Sequence, residues 1–164
     1  MNGAEGPASF IATIAPYEQH FTPLSDKQLR PIRDNAKLIV PFMSFHSVEP
    51  AGEWSLEDLD KAFSAWTESG RKEPYSDDFI IEVAGAAFGE YCAKHLNMEW
   101  VLVEDQDGRA VGLRGRIVEQ QSFPFSTVAK RVPGREHGFF KSVFLLIKQQ
   151  AGEGTLLSGR AHKL

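Results

Sequence analysis

Apolar positions recur at helical spacing through the first half of the chain and change period near residue 98. Leu29, Ile32, Ala36, Ile39 and Val40 share one helical face, and Ser25 with Gln28 has the spacing of a capping box. The pattern predicts a helix from about Ser25 to Val40, ended by Pro41. Pro31 inside it either kinks the helix or moves its start to that position. Leu56, Leu59, Phe63 and Trp66 predict a second helix, capped by Ser55 with Asp58 at the box position and stopped by Gly70. Ser76 caps a third, running to about Leu96. Ile80, Ala84, Ala87, Tyr91 and His95 lie on one of its faces. Gly85, Ala86, Gly89 and Ala93 lie on the other, so a close neighbour is expected along that small face.

Met98 to Glu104 then reads as a strand apolar on both sides, hence central in a sheet. Asp107-Gly108 signals a hairpin turn. Arg109 to Arg114 returns as a second strand, and Ile117 to Ser122 is a candidate third. Pro124 breaks the ladder, and Ser126 is expected to cap a short turn through Val132. A last helix spans about Gly138 to Gln150, with Phe139, Phe140, Val143, Phe144 and Ile147 on its apolar side. Helices, a small antiparallel sheet of about three strands, then a helix make an α+β fold. A single domain over 1–150 is expected. Residues 1–24, with Phe10, Ile11, Ile14, Tyr17 and Phe21, form its N-terminal arm, either a short strand or a segment laid over the core. Residues 151–164 read as a flexible tail.

Composition narrows the class. The chain has 164 residues, enough for a real core without staples, and one cysteine, Cys92, which excludes an internal disulfide framework. Cys92 falls in a strongly apolar helical pattern and reads as a small core residue. The apolar stretch Phe10 to Ala15 is too short for a signal segment or a membrane span, so a cytoplasmic protein is expected. Charge is segregated: residues 49–107 carry 15 acidic against 4 basic side chains, residues 109–164 carry 3 against 10, and the total is −4. Such asymmetry either marks an electrostatic partner surface or is neutralised across the fold.

No nucleophile elbow, phosphate loop or Ser-x-x-Lys is present. His20, His46, His95, His137 and His162 are scattered without metal-ligand spacing. Glu104 to Gly108 is similar to a calcium loop only until Val103 and Arg114 fall where oxygen ligands are required. The expectation is therefore no catalytic residue, no metal and no cofactor. Basic residues alternate with Phe123, Phe125, Phe139 and Phe140, but the phenylalanines have core spacing, which disfavours nucleic-acid binding.

From about Ala84 to Val132 the chain resembles the bacterial domain-of-unknown-function family 3806. The resemblance rests on the Gly89 helix with Tyr91 and Leu96, on Met98-Glu99-Trp100, and on the Glu104-Asp105 to Gly108 turn. Its most specific part is Phe123-Pro124-Phe125-Ser126-x-Val128-x-Lys130-Arg131. It implies a fold more than an activity.

Two functional expectations follow. The first is a non-enzymatic protein-binding module: a cytoplasmic immunity protein that neutralises a secreted bacterial toxin by presenting an acidic face to the toxin's basic surface. Its docking residues would be Glu53, Glu57, Asp58, Asp60, Glu104, Asp105 and Asp107, with Trp54 as anchor or as a hydrophobic staple on its own helix. The second is a small enzyme or anionic-ligand domain with a basic pocket built from Arg114, Lys130 and Arg131. A homodimer through Phe139, Phe140 and Phe144 is a third arrangement the pattern allows.

Overall fold

A computed structural model describes residues 18–70 and 74–157. It is α+β, as the pattern predicts. In chain order the elements are β1 (His20–Pro23), α1 (Asp26–Lys37), α2 (Ile39–Phe45), α3 (Leu56–Glu68), α4 (Asp77–His95), β2 (Met98–Asp105), β3 (Gly108–Gly115), β4 (Gln121–Ser122), α5 (Pro124–Ala129) and α6 (Phe140–Glu153).

The helix starts are set by their caps. The Ser25 hydroxyl accepts the Gln28 N–H at 3.2 Å, and the Gln28 side chain accepts the Ser25 N–H at 2.9 Å. Ser55 and Asp58 close the same box on α3, at 3.2 and 2.8 Å. Ser76 accepts the Phe79 N–H to open α4. Pro31 lies inside α1 without ending it. Pro41 was expected to terminate that helix and does not. The break falls at Leu38, whose N–H turns back to Asn35, and α2 restarts at Ile39 with Pro41 in its first turn. A first-turn residue needs no amide hydrogen, so proline costs nothing there.

Four antiparallel strands stand in the order β1-β2-β3-β4, where three were expected. The extra strand comes from the end of the N-terminal arm: Phe21 pairs with Val103 and Pro23 with Val101. The rest of that arm, with Phe10, Ile11, Ile14 and Tyr17, lies outside the described residues. The hairpin register runs from Met98 opposite Gly115 to Asp105 opposite Gly108. Its tip is therefore Gln106-Asp107, one residue earlier than the turn signal. Asp105 accepts the Asp107 N–H at 2.8 Å, and Gly108 takes φ +136°, which a side chain rarely tolerates. Of the segment 117–122 only Gln121–Ser122 joins the sheet, and Val118 pairs with Leu156 instead.

Two boundaries near the C-terminus also move. Phe123, not Ser126, precedes the first turn of α5, with Pro124 at its start. The last helix continues to Glu153, and the chain after it is tied down: Glu119 N–H donates to Thr155 O, and Leu157 N–H to Ile117 O, both at 2.8 Å. The remainder of the expected tail, residues 158–164, lies outside the description.

α4 is the central element and is buried on more than one face. Its small side meets the sheet and α5. A Cβ built on Gly85 would come within 2.6 Å of Phe125, and one on Gly89 would collide with the Trp100 indole. Its other side meets α3 and α6 through Phe63, Phe88, Phe139 and Phe140, whose ring centroids lie 4.2–5.4 Å apart. Asn97, at φ +51°, makes the left-handed step from α4 into β2. Cys92 is fully buried, and burial pushes its thiol pKa up to about 12.

Candidate functional site

The acidic residues singled out from sequence do not form one face. Most of them are used inside the fold. Asp58 completes the α3 capping box. Asp60 reaches across to the start of α6, where its two oxygens accept the N–H groups of Phe140 at 2.9 Å and Lys141 at 3.2 Å. Glu57 pairs with the Lys141 ammonium, which lowers the Glu57 pKa and raises that of Lys141. Glu104 pairs with Arg109 at 3.4 Å, and Asp105 holds the hairpin tip. That tip stands at the opposite end of β2 from the C-terminus of α4, about 20 Å along the strand at ~3.3 Å per residue. Glu104, Asp105 and Asp107 are thus separated from Glu53, Glu57 and Asp60. The exposed acids that carry no ion pair among the described residues include Glu68, Asp78 and Glu82.

The basic trio also fails to converge. Arg114 lies on the sheet face turned away from α4, its guanidinium 3.8 Å over the Phe21 ring and 3.1 Å from Glu119. Arg131, in the turn after α5, donates to Thr127 O, stacks over Phe139 and pairs with Glu136 at 3.6 Å. Lys130 is exposed beside it. None of the three lines a cleft described below. Two of the expected dimer phenylalanines are internal, Phe140 fully buried and Phe139 nearly so, while Phe144 is half-buried and packs edge-on against Tyr91.

What the structure does assemble is a pair of adjoining clefts along the C-terminal half of α4. The first, about 270 Å³, is lined by Glu53, Trp54, Glu90, Tyr91, Lys94 and His95. Trp54 stacks on Tyr91 with ring centroids 5.4 Å apart, and Tyr91 on His95 at 4.2 Å. Trp54 therefore braces α3's entry against α4. Burial, then the negative charge of Glu57, raises the Tyr91 pKa, so the phenol stays protonated and can donate. Glu53 and Lys94 span the opening at 3.6 Å.

The second cleft, about 310 Å³, lies between α1, α4 and β2 and shares Glu90 and Lys94 with the first. Leu24, Leu29, Met98 and Trp100 line its apolar part, and Arg33 and Arg116 stand at its edge. The Trp100 indole N–H donates to Glu90 at 2.8 Å, and Arg116 donates to Glu99 at 3.3 Å. A further apolar cleft of about 400 Å³ opens on the other side of α1, between Ile32, Leu102, Val111 and Phe125. Sequence reasoning found Glu53 and Trp54 but missed Tyr91 and His95 as surface groups, having placed them on a core stripe. It missed the convergence of Arg33 with Arg116, because that depends on elements distant in sequence. Among the described residues no group of three His, Cys, Asp or Glu side chains could hold a metal ion, and no helix is long and apolar enough to cross a membrane.

Residues 65–143 match the model of a family described as a domain of unknown function, DUF3806. The match contains the whole of the stretch on which the resemblance rested. No curated protein matches the chain. A crystal structure of a protein from Bacteroides thetaiotaomicron VPI-5482 has the same fold, with a TM-score of 0.56 and 16% identity over 84% of this chain. The chain spans 48% of that protein's length.

Proposed function

We propose that this DUF3806-containing chain is a binding module without a reaction of its own, and that it docks a partner protein at the C-terminal half of α4. The observation that carries the proposal is the stack of Trp54, Tyr91 and His95, half-buried to exposed and flanked by Glu53, Glu57 and Lys94. Aromatic side chains held by neighbours and ringed by charge are the usual anchors of protein interfaces, because they lose little freedom on binding. The flanking charges steer approach and fix orientation.

The partner class we propose is a secreted bacterial toxin with a basic surface, neutralised by this chain in the cytoplasm. The charge of residues 49–107 supports that reading, together with the exposed acids Glu68, Asp78 and Glu82 on α3 and α4. The wide acidic face that the sequence pointed to is replaced by a smaller aromatic one with acids at its border.

The test is co-purification with the product of the neighbouring reading frame, followed by titration of that partner with Trp54→Ala and with His95→Lys, which sets a cation against the partner's basic surface. Each is expected to weaken binding at least tenfold. A partner bound equally well by both variants would remove the α4 face from the proposal.

A further inference from the structure

The cleft between α1, α4 and β2 is lined by three cations, Arg33, Lys94 and Arg116, and two carboxylates, Glu90 and Glu99, an excess of one positive charge. Both of its carboxylates are engaged, Glu90 by the Trp100 indole at 2.8 Å and Glu99 by Arg116 at 3.3 Å. Two of its cations are not held in the same way. Arg33 is exposed and forms no ion pair among the described residues. Among the described residues Lys94 pairs with Glu53 alone, at 3.6 Å, with side chains 65% and 87% exposed. An exposed pair at that distance contributes little, and Lys94 is free to exchange Glu53 for a better acceptor. Leu24 and Leu29, both half-buried, line the same cleft, with the edges of the buried Met98 and Trp100 behind them. The volume, about 310 Å³, is at the lower end of the range for small-molecule clefts.

We infer that this cleft binds an organic carboxylate with a compact apolar body, its charged end held by Arg33 and Lys94 and its body laid against the half-buried Leu24 and Leu29. A planar guanidinium matches a carboxylate with two parallel hydrogen bonds, and the ammonium of Lys94 adds a second charge. Such a carboxylate has two sources: a free organic acid, or the C-terminal carboxylate of a peptide. The inference needs no partner protein; it shares Lys94 with the docking proposal, whereas Arg33 on α1 belongs to this cleft alone, so Arg33→Glu tells the two apart.

The experiment is calorimetric titration of the purified chain with hexanoate, with N-acetyl-leucyl-leucine bearing a free C-terminus, and with the amide of each as a neutral control. Tryptophan emission is followed in parallel. At least one acid is expected to bind and its amide to bind at least tenfold more weakly. Arg33→Glu and Lys94→Glu are each expected to weaken the acid tenfold or more. Both side chains are exposed, and unchanged thermal unfolding of the variants verifies their fold. Tighter binding of the peptide acid identifies a chain terminus as the source, and tighter binding of hexanoate a free acid. No heat from either acid at millimolar concentration overturns the inference. So does equal binding of acid and amide, or unchanged affinity in both charge-reversal variants.

Discussion

The indole of Trp100 lies against the backbone of Gly89, in the space a Cβ would need. Pro124 closes the same spot, 3.1 Å from where that Cβ would stand. Helix and sheet approach so closely because Gly89 has no side chain, and Trp100 fills the gap from the other layer. The ring cannot swing aside, since its N–H is bonded to Glu90.

Gly89→Ala sets two effects against each other. Alanine favours a helix interior by about 1 kcal/mol over glycine. The added methyl must displace a rigid ring and a proline, and overpacking of that kind costs ~1–3 kcal/mol. The second effect wins, because neither neighbour is the loose end of a flexible chain. Chemical denaturation should show a net loss of stability with an unchanged denaturant slope. A gain would mean that the two layers have room to part.

Cys92 should be inert in the native protein. It is fully buried in α4, and burial pushes its pKa up to about 12, so almost no thiolate exists at neutral pH. A thiol reagent at pH 8 is expected to label it only as fast as the protein unfolds, with one equivalent taken up in denaturant. Rapid labelling of the folded chain would show that α4 opens locally.

Much of this was readable in the chain. Ser25 with Gln28 and Ser55 with Asp58 announced their helices, because a capping box is a local device. Gly85 and Gly89 announced a close neighbour, because a run of small residues on one helix face needs one. Other features depend on partners far away in sequence. His20–Pro23 becomes a strand only because Val101 and Val103 present an edge to it. Pro41 has the same local signature at a helix end and in a first turn, and only the break at Leu38 distinguishes them. The acids of α3 read as surface charge until α6 arrives, 80 residues later, to bond with Asp60. The clefts were invisible for the same reason: Arg33, Lys94 and Met98 meet only when α1 packs beside α4 and β2.

The internal use of these acids changes how an acidic docking face must be tested. Asp58→Lys removes the reciprocal half of the α3 capping box and should cost about 1 kcal/mol of stability whatever it does to binding. Asp78→Lys and Glu82→Lys lie on exposed positions of α4 that carry no ion pair among the described residues. Glu82→Lys should leave the melting temperature within a degree or two, a surface effect of at most about 0.5 kcal/mol. Asp78 also sits in the first turn of α4, so its reversal adds a small dipole penalty of ~0.3–1 kcal/mol. A large drop in melting temperature for Glu82→Lys would show that this acid is structural too.

Asp60 gives the fold a pH dependence of unusual sign. Phe139 ends the approach to α6 without a side-chain cap, and Asp60 of α3 supplies the missing acceptor to two amides. Burial is the largest influence on its carboxyl and raises the pKa above the ordinary 3.8. The amides of Phe140 and Lys141 pull it down, and the charge of Glu57 pushes it up again. A carboxyl with a raised folded pKa binds its proton more tightly in the folded state than in the unfolded one. Its contribution to stability is therefore full below pH 3.8 and is lost as pH rises through the folded value. Glu57, whose pKa Lys141 lowers, contributes with the opposite sign, so the total curve mixes the two. Asp60→Asn separates them, because Glu57 is common to both proteins. The difference in unfolding free energy, wild type minus Asp60→Asn, should decline as pH is raised from 3 to 7. Asp60→Ala should cost about 1–2 kcal/mol at neutral pH through loss of the cap. A difference that climbs with pH would mean that the two amide bonds, rather than burial, set the titration of Asp60.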